Sequence, residues 1–208
     1  MINMHIMDGF LPMEWCIFWT LVSIPFFVAS FKRVRKVSKN VNGLTYIALT
    51  IAYLFVLSSI KFPSVAGSSS HLTGIGIGTL ILGPSVMTLA TAITLLFQAT
   101  LLAHGGFSTL TANVVSMGIV GPFSVYLIYR ALKNVNRDLA IFVSVAIGNL
   151  LVYVMTAIQL GLVYEGFLEF LYIFGVIQIP LAIFEGLVTM VFIKYLAKVR
   201  NSLVLGEV

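Results

Sequence analysis

Three histidines are the residues of this sequence best suited to chemistry, because imidazole nitrogens bind transition metals. They are His5, His71 and His104, and the chain of 208 residues contains no others. They lie far apart along the chain, so a shared site requires the fold to bring them together. Nickel, cobalt, copper and zinc all accept imidazole, so three histidines alone do not choose among these metals.

The composition indicates that membrane-spanning helices must position these histidines. The chain is 60% hydrophobic and only 9% charged, whereas a soluble domain averages about 25% charged residues. These values exclude an ordinary soluble enzyme, a disordered protein and a coiled coil. The net charge of +5 does not indicate nucleic-acid binding, because the basic residues stand between long apolar runs. The single cysteine, Cys16, excludes an internal disulfide.

Charge-free runs and turn residues divide the chain into seven predicted helices. The longest run without charge extends from Phe62 to Tyr129, which is enough for about three crossings of a bilayer. Glycine-rich or proline-containing turns interrupt it at Gly67–Ser70, Gly83–Pro84 and His104–Gly106. The predicted helices are residues 14–31, 44–60, 72–83, 85–103, 108–130, 138–163 and 171–196.

The basic residues predict how these helices are oriented in the membrane. Eleven of the twelve lysines and arginines form three groups: Lys32, Arg33, Arg35, Lys36 and Lys39; Arg130, Lys133 and Arg137; Lys194, Lys198 and Arg200. Cytoplasmic loops carry the excess of Lys and Arg. All three groups fall on that side only if the short segment 72–83 also crosses, which gives seven crossings with the N-terminus outside and the C-terminus in the cytoplasm. Lys61 is the exception, and its long side chain can reach the interface.

We therefore predict an all-α integral protein of the cell membrane that forms one transmembrane metal-binding domain over residues 1–208. Residues 1–13 form an extracytoplasmic tail, and residues 14–200 form the helical bundle. No basic residue precedes the first helix, so we expect that helix to stay in the membrane rather than to be removed as a signal peptide.

This topology places all three histidines at or near the outer face. Asp8, Glu14, Glu165 and Glu169 lie on the same side, where they could attract a cation. Two interpretations remain open: the histidines form one metal site, or each is an interfacial residue with ordinary hydrogen bonds.

Several stretches of the sequence resemble the CbiM/NikM family, the substrate-binding membrane components of energy-coupling-factor transporters for cobalt and nickel. The most specific is the opening Met4–Pro12, with the order Met-His-Ile-Met, which is similar to the cobalt branch of the family. The other matching stretches are Lys61–His71, Leu96–Gly106, Ala112–Pro122 and Gln178–Gly186.

The resemblance implies a metal site built from Met4, His5 and His71. Its donors are the free amine of Met4, the backbone amide and imidazole of His5, and the imidazole of His71. Such a nearly planar nitrogen set suits nickel or copper and is acceptable to cobalt. Because Met1–Asn3 would block the amine, either translation begins at Met4, or these three residues are removed, or the site uses another ligand; we expect a start at Met4.

Three further residues are candidates for support around the metal. The hydroxyl of Ser70 could orient the His71 ring, since metal-binding histidines usually need such a partner. His104 could orient a ligand or line the access path, and capping of its loop is the alternative. Glu185 could guide the cation or couple helix movement; alternatively, its carboxyl is bonded to a neighbouring helix, with four candidate partners, namely Gln178, Gln159, Gln98 and Asn113.

The resemblance implies a high-affinity subunit of an ATP-driven cobalt importer, with nickel as the second candidate. Its partners would be a transmembrane coupling protein and two cytoplasmic ATPases. The chain has no Walker lysine motif, so we expect a non-enzyme that holds no cofactor besides the transported ion. A stand-alone metal channel or secondary transporter is the alternative, although secondary transporters often carry paired broken helices and only one short helix is evident here.

Overall fold

The computed structural model describes residues 5–199, apart from the side chains of Ala66 and Val199. Eight α-helices, one π-helical segment, one 3₁₀ turn and two short strands make up this part of the chain. Their order is α1 (Met13–Val37), α2 (Val41–Ser59), β1 (Lys61–Pro63), the 3₁₀ turn (Val65–Gly67), β2 (Ser69–His71), α3 (Ile75–Leu82), α4 (Pro84–Leu102), α5 (Leu110–Asn113), the π-helical segment (Val114–Val120), α6 (Gly121–Leu132), α7 (Arg137–Tyr164) and α8 (Phe167–Val199).

Six helical stretches of the described chain are long and apolar enough to cross a membrane. One of them, Leu110–Leu132, joins α5, the π-helical segment and α6 into a single rod. Together with the short α3, they correspond to the seven helices predicted from the sequence, so the multi-pass helical membrane fold is confirmed.

The boundaries of some elements differ from the prediction. Helix α1 continues to Val37, so most of its basic group lies on the last turns of a helix and not in a loop. Helix α3 starts at Ile75 rather than at 72, because residues 69–71 form a strand. This strand pairs antiparallel with β1, with Lys61 opposite His71, and the prediction missed this hairpin.

Helix α4 defines two ends of the bundle. At its start, Pro84 lines a cavity together with Arg33, Arg130 and Lys133; we call this the basic end. After its 19 residues, which span about 28 Å at helical rise, the chain reaches His104. The end that contains the three histidines is therefore called the histidine end.

The chain between His71 and Gly83 passes from the histidine end to the basic end in few residues. It does so as a short extended stretch followed by the eight residues of α3. This helix fits because glycine lets a neighbour approach: a Cβ on Gly76 would lie 2.6 Å from Cγ1 of Val145 on α7. Gly76 therefore serves the close packing of α3 against α7.

The bundle buries its apolar core and leaves a second apolar surface uncovered. Helix α4 packs against α1 and α2, and α7 packs along both α6 and α8. Large side chains such as Leu21 and Phe31 on α1 or Phe184 and Val191 on α8 remain exposed. An apolar surface of this extent is what the acyl chains of a bilayer contact.

Candidate metal centre

The fold brings the three histidines into one buried cluster at the histidine end. The ring centroid of His5 lies 4.7 Å from that of His71 and 4.5 Å from that of His104. One nitrogen of each ring lies within 4.8 Å of the others. Nitrogens that share a metal at about 2 Å stand up to about 4 Å apart, so a movement of about 1 Å would let these rings bind one ion.

The histidine nitrogens lack the hydrogen bonds that buried polar atoms normally have. Both ring nitrogens of His5, both of His104 and Nε2 of His71 find no partner among the described residues, although each ring is at least 98% buried. Nitrogen atoms so placed usually have a partner, which can be an ion. The cluster therefore has the donors of a metal site, and no group within residues 5–199 competes for the unpartnered nitrogens.

The protonation of His71 follows from its neighbour. Its Nδ1 lies 2.9 Å from the carbonyl oxygen of Leu72, and because a carbonyl can only accept, Nδ1 carries the proton and donates it. Nε2 is then the atom with a free lone pair, and it has no hydrogen-bond partner among the described residues. A backbone carbonyl of this kind orients many metal-binding histidines.

Burial also keeps the three rings neutral. It lowers the pKa of His71 to about 4 and that of His104 to about 3, because a charged imidazole is poorly solvated there. Burial lowers the pKa of His5 as well, and the neighbouring His104 ring adds to this effect. Neutral imidazoles are the form that binds a metal.

The N-terminal segment that carries His5 is held by the loop and helix after His104. The side chain of Asn113 accepts a hydrogen bond from the Ile6 amide at 2.9 Å and donates one to the Ile6 carbonyl, also at 2.9 Å. The Thr109 hydroxyl donates a second bond to that carbonyl at 2.6 Å. These contacts fix the backbone beside His5 in the way a neighbouring strand would.

Asp8 anchors the same segment two residues after Ile6. Its carboxylate accepts hydrogen bonds from the amides of Phe107 and Ser108 and from the Ser108 hydroxyl, at 3.1, 2.8 and 2.6 Å. The Ser108 hydroxyl bond is the main reason that the pKa of Asp8 is lowered. Asp8, one of the four acidic residues that could attract a cation, therefore also ties the N-terminal segment to the adjacent loop.

The hairpin that carries His71 is fixed by α7 and α8. The hydroxyl of Tyr153 donates to the His71 carbonyl at 3.0 Å and lies 3.5 Å from its amide nitrogen. Glu185 accepts hydrogen bonds from the amide and the hydroxyl of Thr73, both at 2.8 Å, and from Asn149 at 2.8 Å. The backbone on both sides of His71 is therefore tied to long helices.

The residues expected to support the metal have contacts other than the predicted ones. Ser70 donates to Gln178 at 2.7 Å, and Gln178 in turn bonds Asn149, while the Leu72 carbonyl takes the place expected for Ser70 at the His71 ring. Glu185 is bonded to a neighbouring helix, but through Asn149 and not through any of the four candidates. His104 lies as close to His5 as His71 does. Met4 lies outside the described residues.

Three residues that support the histidines were not predicted from the sequence, namely Asn113, Thr109 and Tyr153. Asn113 carried a signal, because it is the only side-chain amide between Phe107 and Tyr129, and an amide in an apolar span normally has a specific partner. Its partner is the backbone of a segment more than 100 residues away, which no local pattern reveals.

The sequence matches a family model described as a cobalt uptake substrate-specific transmembrane region, CbiM, over residues 5–203. This chain belongs to the CbiM family. The match includes all three histidines and every element described above. The CbiM chain is thus a multi-pass membrane protein of metal uptake, as the resemblance of its opening residues implied.

Relatives of this CbiM chain are named as transport proteins and not as enzymes. A cobalt transport protein CbiM of Streptococcus sanguinis is 50% identical over 90% of this chain and 82% of the relative. One of Acetoanaerobium sticklandii is 45% identical over 96% of this chain and 86% of the relative. A crystal structure of a transition metal transporter matches 94% of this chain and 93% of its own, with 25% identity and a TM-score of 0.86.

We predict that Asn113→Ala releases the segment around His5. The substitution leaves the buried Ile6 amide without a partner and leaves the Ile6 carbonyl with the Thr109 bond alone, at a cost of roughly 1–3 kcal/mol for the unsatisfied amide. Amide hydrogen exchange of residues 5–8 should then accelerate at least tenfold, while exchange within α7 stays unchanged. Asn134→Ala, at an exposed loop position of the basic end, is the matched control. Equal exchange of the N-terminal segment in both variants would contradict the role given to Asn113.

Proposed function

We propose that this chain is the high-affinity cobalt-binding subunit of an ATP-driven energy-coupling-factor importer, with nickel as the alternative metal. The observation that carries the proposal is the cluster of His5, His71 and His104, buried and free of competing hydrogen bonds among the described residues. A cobalt-uptake family model and cobalt transport proteins of other organisms support the choice of metal.

For the ligand set we propose the imidazoles of His5 and His71, the backbone amide of His5 and the amine of Met4. The amine and amide of consecutive residues close a five-membered chelate ring, and the amide and ring of His5 close a six-membered one. Removing the amide proton requires a strongly polarising metal, so this set would exclude calcium and magnesium, which prefer oxygen ligands. It also requires a chain that begins at Met4.

His104 has a separate role in this proposal. Its ring lies beside that of His5, at a centroid distance of 4.5 Å and an angle of 43° between the planes. We infer that it holds the His5 ring in place and closes the site toward the loop Ala103–Gly106, and that it is not one of the four nitrogen donors. Loss of a group that supports a ligand typically weakens metal binding by about 10–100-fold.

The transport cycle follows from the two ends of the bundle. We propose that the histidine end faces outward and the basic end faces the cytoplasm, in agreement with the charge rule. The ion would be captured outside, enclosed by the N-terminal segment, and released inward when partners reorient the subunit. Those partners would be a transmembrane coupling protein and two ATPases.

Metal retention by histidine variants should distinguish the residues that bind the metal, His5 and His71, from the residue that supports them, His104. Purified wild-type protein, offered cobalt, nickel and zinc in competition, should retain about one cobalt ion, measured by elemental analysis after gel filtration. His5→Ala and His71→Ala should each abolish retention, whereas His104→Ala should weaken it by about 10–100-fold. The intact mass of the same preparation should correspond to a chain that starts at Met4.

Full occupancy in both His5→Ala and His71→Ala would refute the site. Equal loss in all three histidine variants would instead favour three imidazole ligands. Ser64→Ala is a suitable control. Ser64 lies in the same hairpin region as His71, but its hydroxyl donates to the Ile173 carbonyl of α8 and takes no part in the cluster.

Reconstitution should distinguish a binding subunit from a channel. In proteoliposomes that contain this chain alone, radioactive cobalt should remain bound in proportion to the protein and should not accumulate in the lumen. Addition of a coupling protein and ATPases of the energy-coupling-factor class should produce accumulation that depends on ATP. Equilibration of cobalt by the chain alone, lost in His71→Ala, would support the stand-alone channel instead.

Cysteine labelling in whole cells should report the orientation. Leu168 near the start of α8 and Val135 between α6 and α7 are both exposed, at the histidine and basic ends respectively, whereas the native Cys16 is buried. A membrane-impermeant maleimide should label Leu168→Cys and spare Val135→Cys until the cells are permeabilised. The reverse pattern would invert the proposed topology.

A further inference from the structure

The basic end of the bundle contains a cavity that the metal site does not use. Its volume is about 480 Å³, and it lies between the end of α1, the turn from α3 to α4, and α6. Three cationic side chains line it, namely those of Arg33, Arg130 and Lys133. Within the part of the chain that the structure describes, none of the three forms a salt bridge, since the ion pair found there joins Lys194 to Asp138.

The start of α4 adds a backbone hydrogen-bond donor to this cavity. Gly83, with a φ of +83°, begins α4 without a side-chain cap, and Pro84 occupies the first turn. The first amides of a helix have no partner inside the helix, and the helix dipole makes this end favourable for an anion. Gly83, Pro84 and Ser85 all line the cavity. The Gly83 amide already donates to the Thr79 carbonyl at 2.9 Å and proline has no N–H, so the amide of this group that is left for a ligand is that of Ser85.

A buried hydroxyl supplies an independent sign of a ligand. Thr79 lines the cavity and is 98% buried, yet its Oγ1 has no hydrogen-bond partner among the described residues. Threonine hydroxyls in helices normally bond a carbonyl of the preceding turn, as Thr94 does with Ala90. The cavity is thus lined by an unpartnered hydroxyl, three cations and the N-terminus of α4, a combination that suits an anion with several acceptor oxygens.

The cavity lies at the boundary between the apolar surface and the charged end. Phe31 is 58% exposed two residues before Arg33, and Leu127 is 63% exposed one turn before Arg130. The Arg130 guanidinium is also held in place, because it donates to the Tyr126 hydroxyl at 3.1 Å and lies 5.5 Å from the centre of that ring. Phosphate groups of a bilayer lie at this level, next to the acyl chains.

We propose that this cavity binds a phosphate group, with Arg33, Arg130 and Lys133 as its charged contacts and Thr79 and the start of α4 as its hydrogen-bond donors. The phosphate belongs to the headgroup of an anionic phospholipid or is free in solution. The same positive charges would repel a metal cation, so this site is distinct from any release path for the transported ion. The proposal does not depend on the identity of the metal.

The test measures binding of defined phosphate compounds to the full chain purified in neutral detergent. Native mass spectrometry would count bound phosphatidylglycerol, phosphatidylcholine and inorganic phosphate, each in a separate titration. Three variants each remove one proposed contact to the phosphate: Arg130→Gln, Lys133→Gln and Thr79→Val. Lys36→Gln is the matched control, because Lys36 is an exposed cation of the same end that does not line the cavity.

We expect wild-type protein to bind phosphatidylglycerol at least tenfold more tightly than phosphatidylcholine, whose choline group neutralises the charge. Each cavity variant should weaken that binding about tenfold, as expected for loss of one hydrogen bond to a charged group, and Lys36→Gln should leave it unchanged. The same pattern with inorganic phosphate alone would assign the site to free phosphate. Equal losses in Lys36→Gln and Arg130→Gln, or no loss in any cavity variant, would overturn the proposal.

Thermal unfolding in lipid-free detergent distinguishes a structural role of Thr79 from a role in binding. Thr79→Val removes an unpartnered buried hydroxyl without changing the side-chain shape, so the lipid-free protein should be as stable as wild type or more stable. The stabilisation gained on adding phosphatidylglycerol should nevertheless shrink. A Thr79→Val protein that unfolds earlier without lipid but gains the full stabilisation with it would show that Thr79 is structural and would refute its part in the site.

Discussion

The structure depends on one constraint, which is that five imidazole nitrogens are enclosed in an apolar bundle without a hydrogen-bond partner among the described residues. Each unsatisfied buried polar group costs roughly 1–3 kcal/mol, so a fold that places three such rings together must stabilise their positions elsewhere. Much of the polar architecture at the histidine end does this. A metal ion that takes up the free lone pairs removes the same cost, and this couples binding to the closed arrangement of the site.

The segments that carry His5 and His71 are held in place in two different ways. The segment with His5 belongs to no helix or strand, so side chains substitute for the missing backbone partners: Asn113 bonds Ile6 in both directions and Asp8 bonds the loop at Phe107 and Ser108. His71 belongs to a short strand whose continuation is fixed through Thr73 to Glu185. A segment that belongs to no helix or strand and is bonded through side chains opens at lower cost than one tied to two long helices. The N-terminal segment is therefore the element suited to admit the ion.

The helices could be predicted from the sequence because lipid imposes a simple rule: a span must be long and free of charge. Proline did not end the spans, since Pro25 lies inside α1 and Pro180 inside α8. The hairpin before α3 was missed because three-residue strands carry no periodic signal. The start of α3 was missed for the same reason, since residues 72–74 follow the strand but belong to no helix or strand themselves.

The site was predictable only in part. The rarity of histidine in an apolar chain singled out His5, His71 and His104, and the basic groups placed them at one end. The sequence could not rank His104 with the other two, nor choose Thr73 and Asn149 as partners of Glu185, because these distances arise from the packing of helices remote in sequence. Whether Met4 completes the ligand set stays a prediction.

X-ray absorption of the cobalt-loaded protein tests the central claim most directly, because it reports the atoms bound to the metal. The account predicts a first shell made of nitrogen, with the scattering pattern of two imidazoles in the wild type and of one imidazole in any cobalt that His71→Ala takes up. A shell dominated by oxygen or sulfur, or a wild-type spectrum without imidazole scattering, would contradict it.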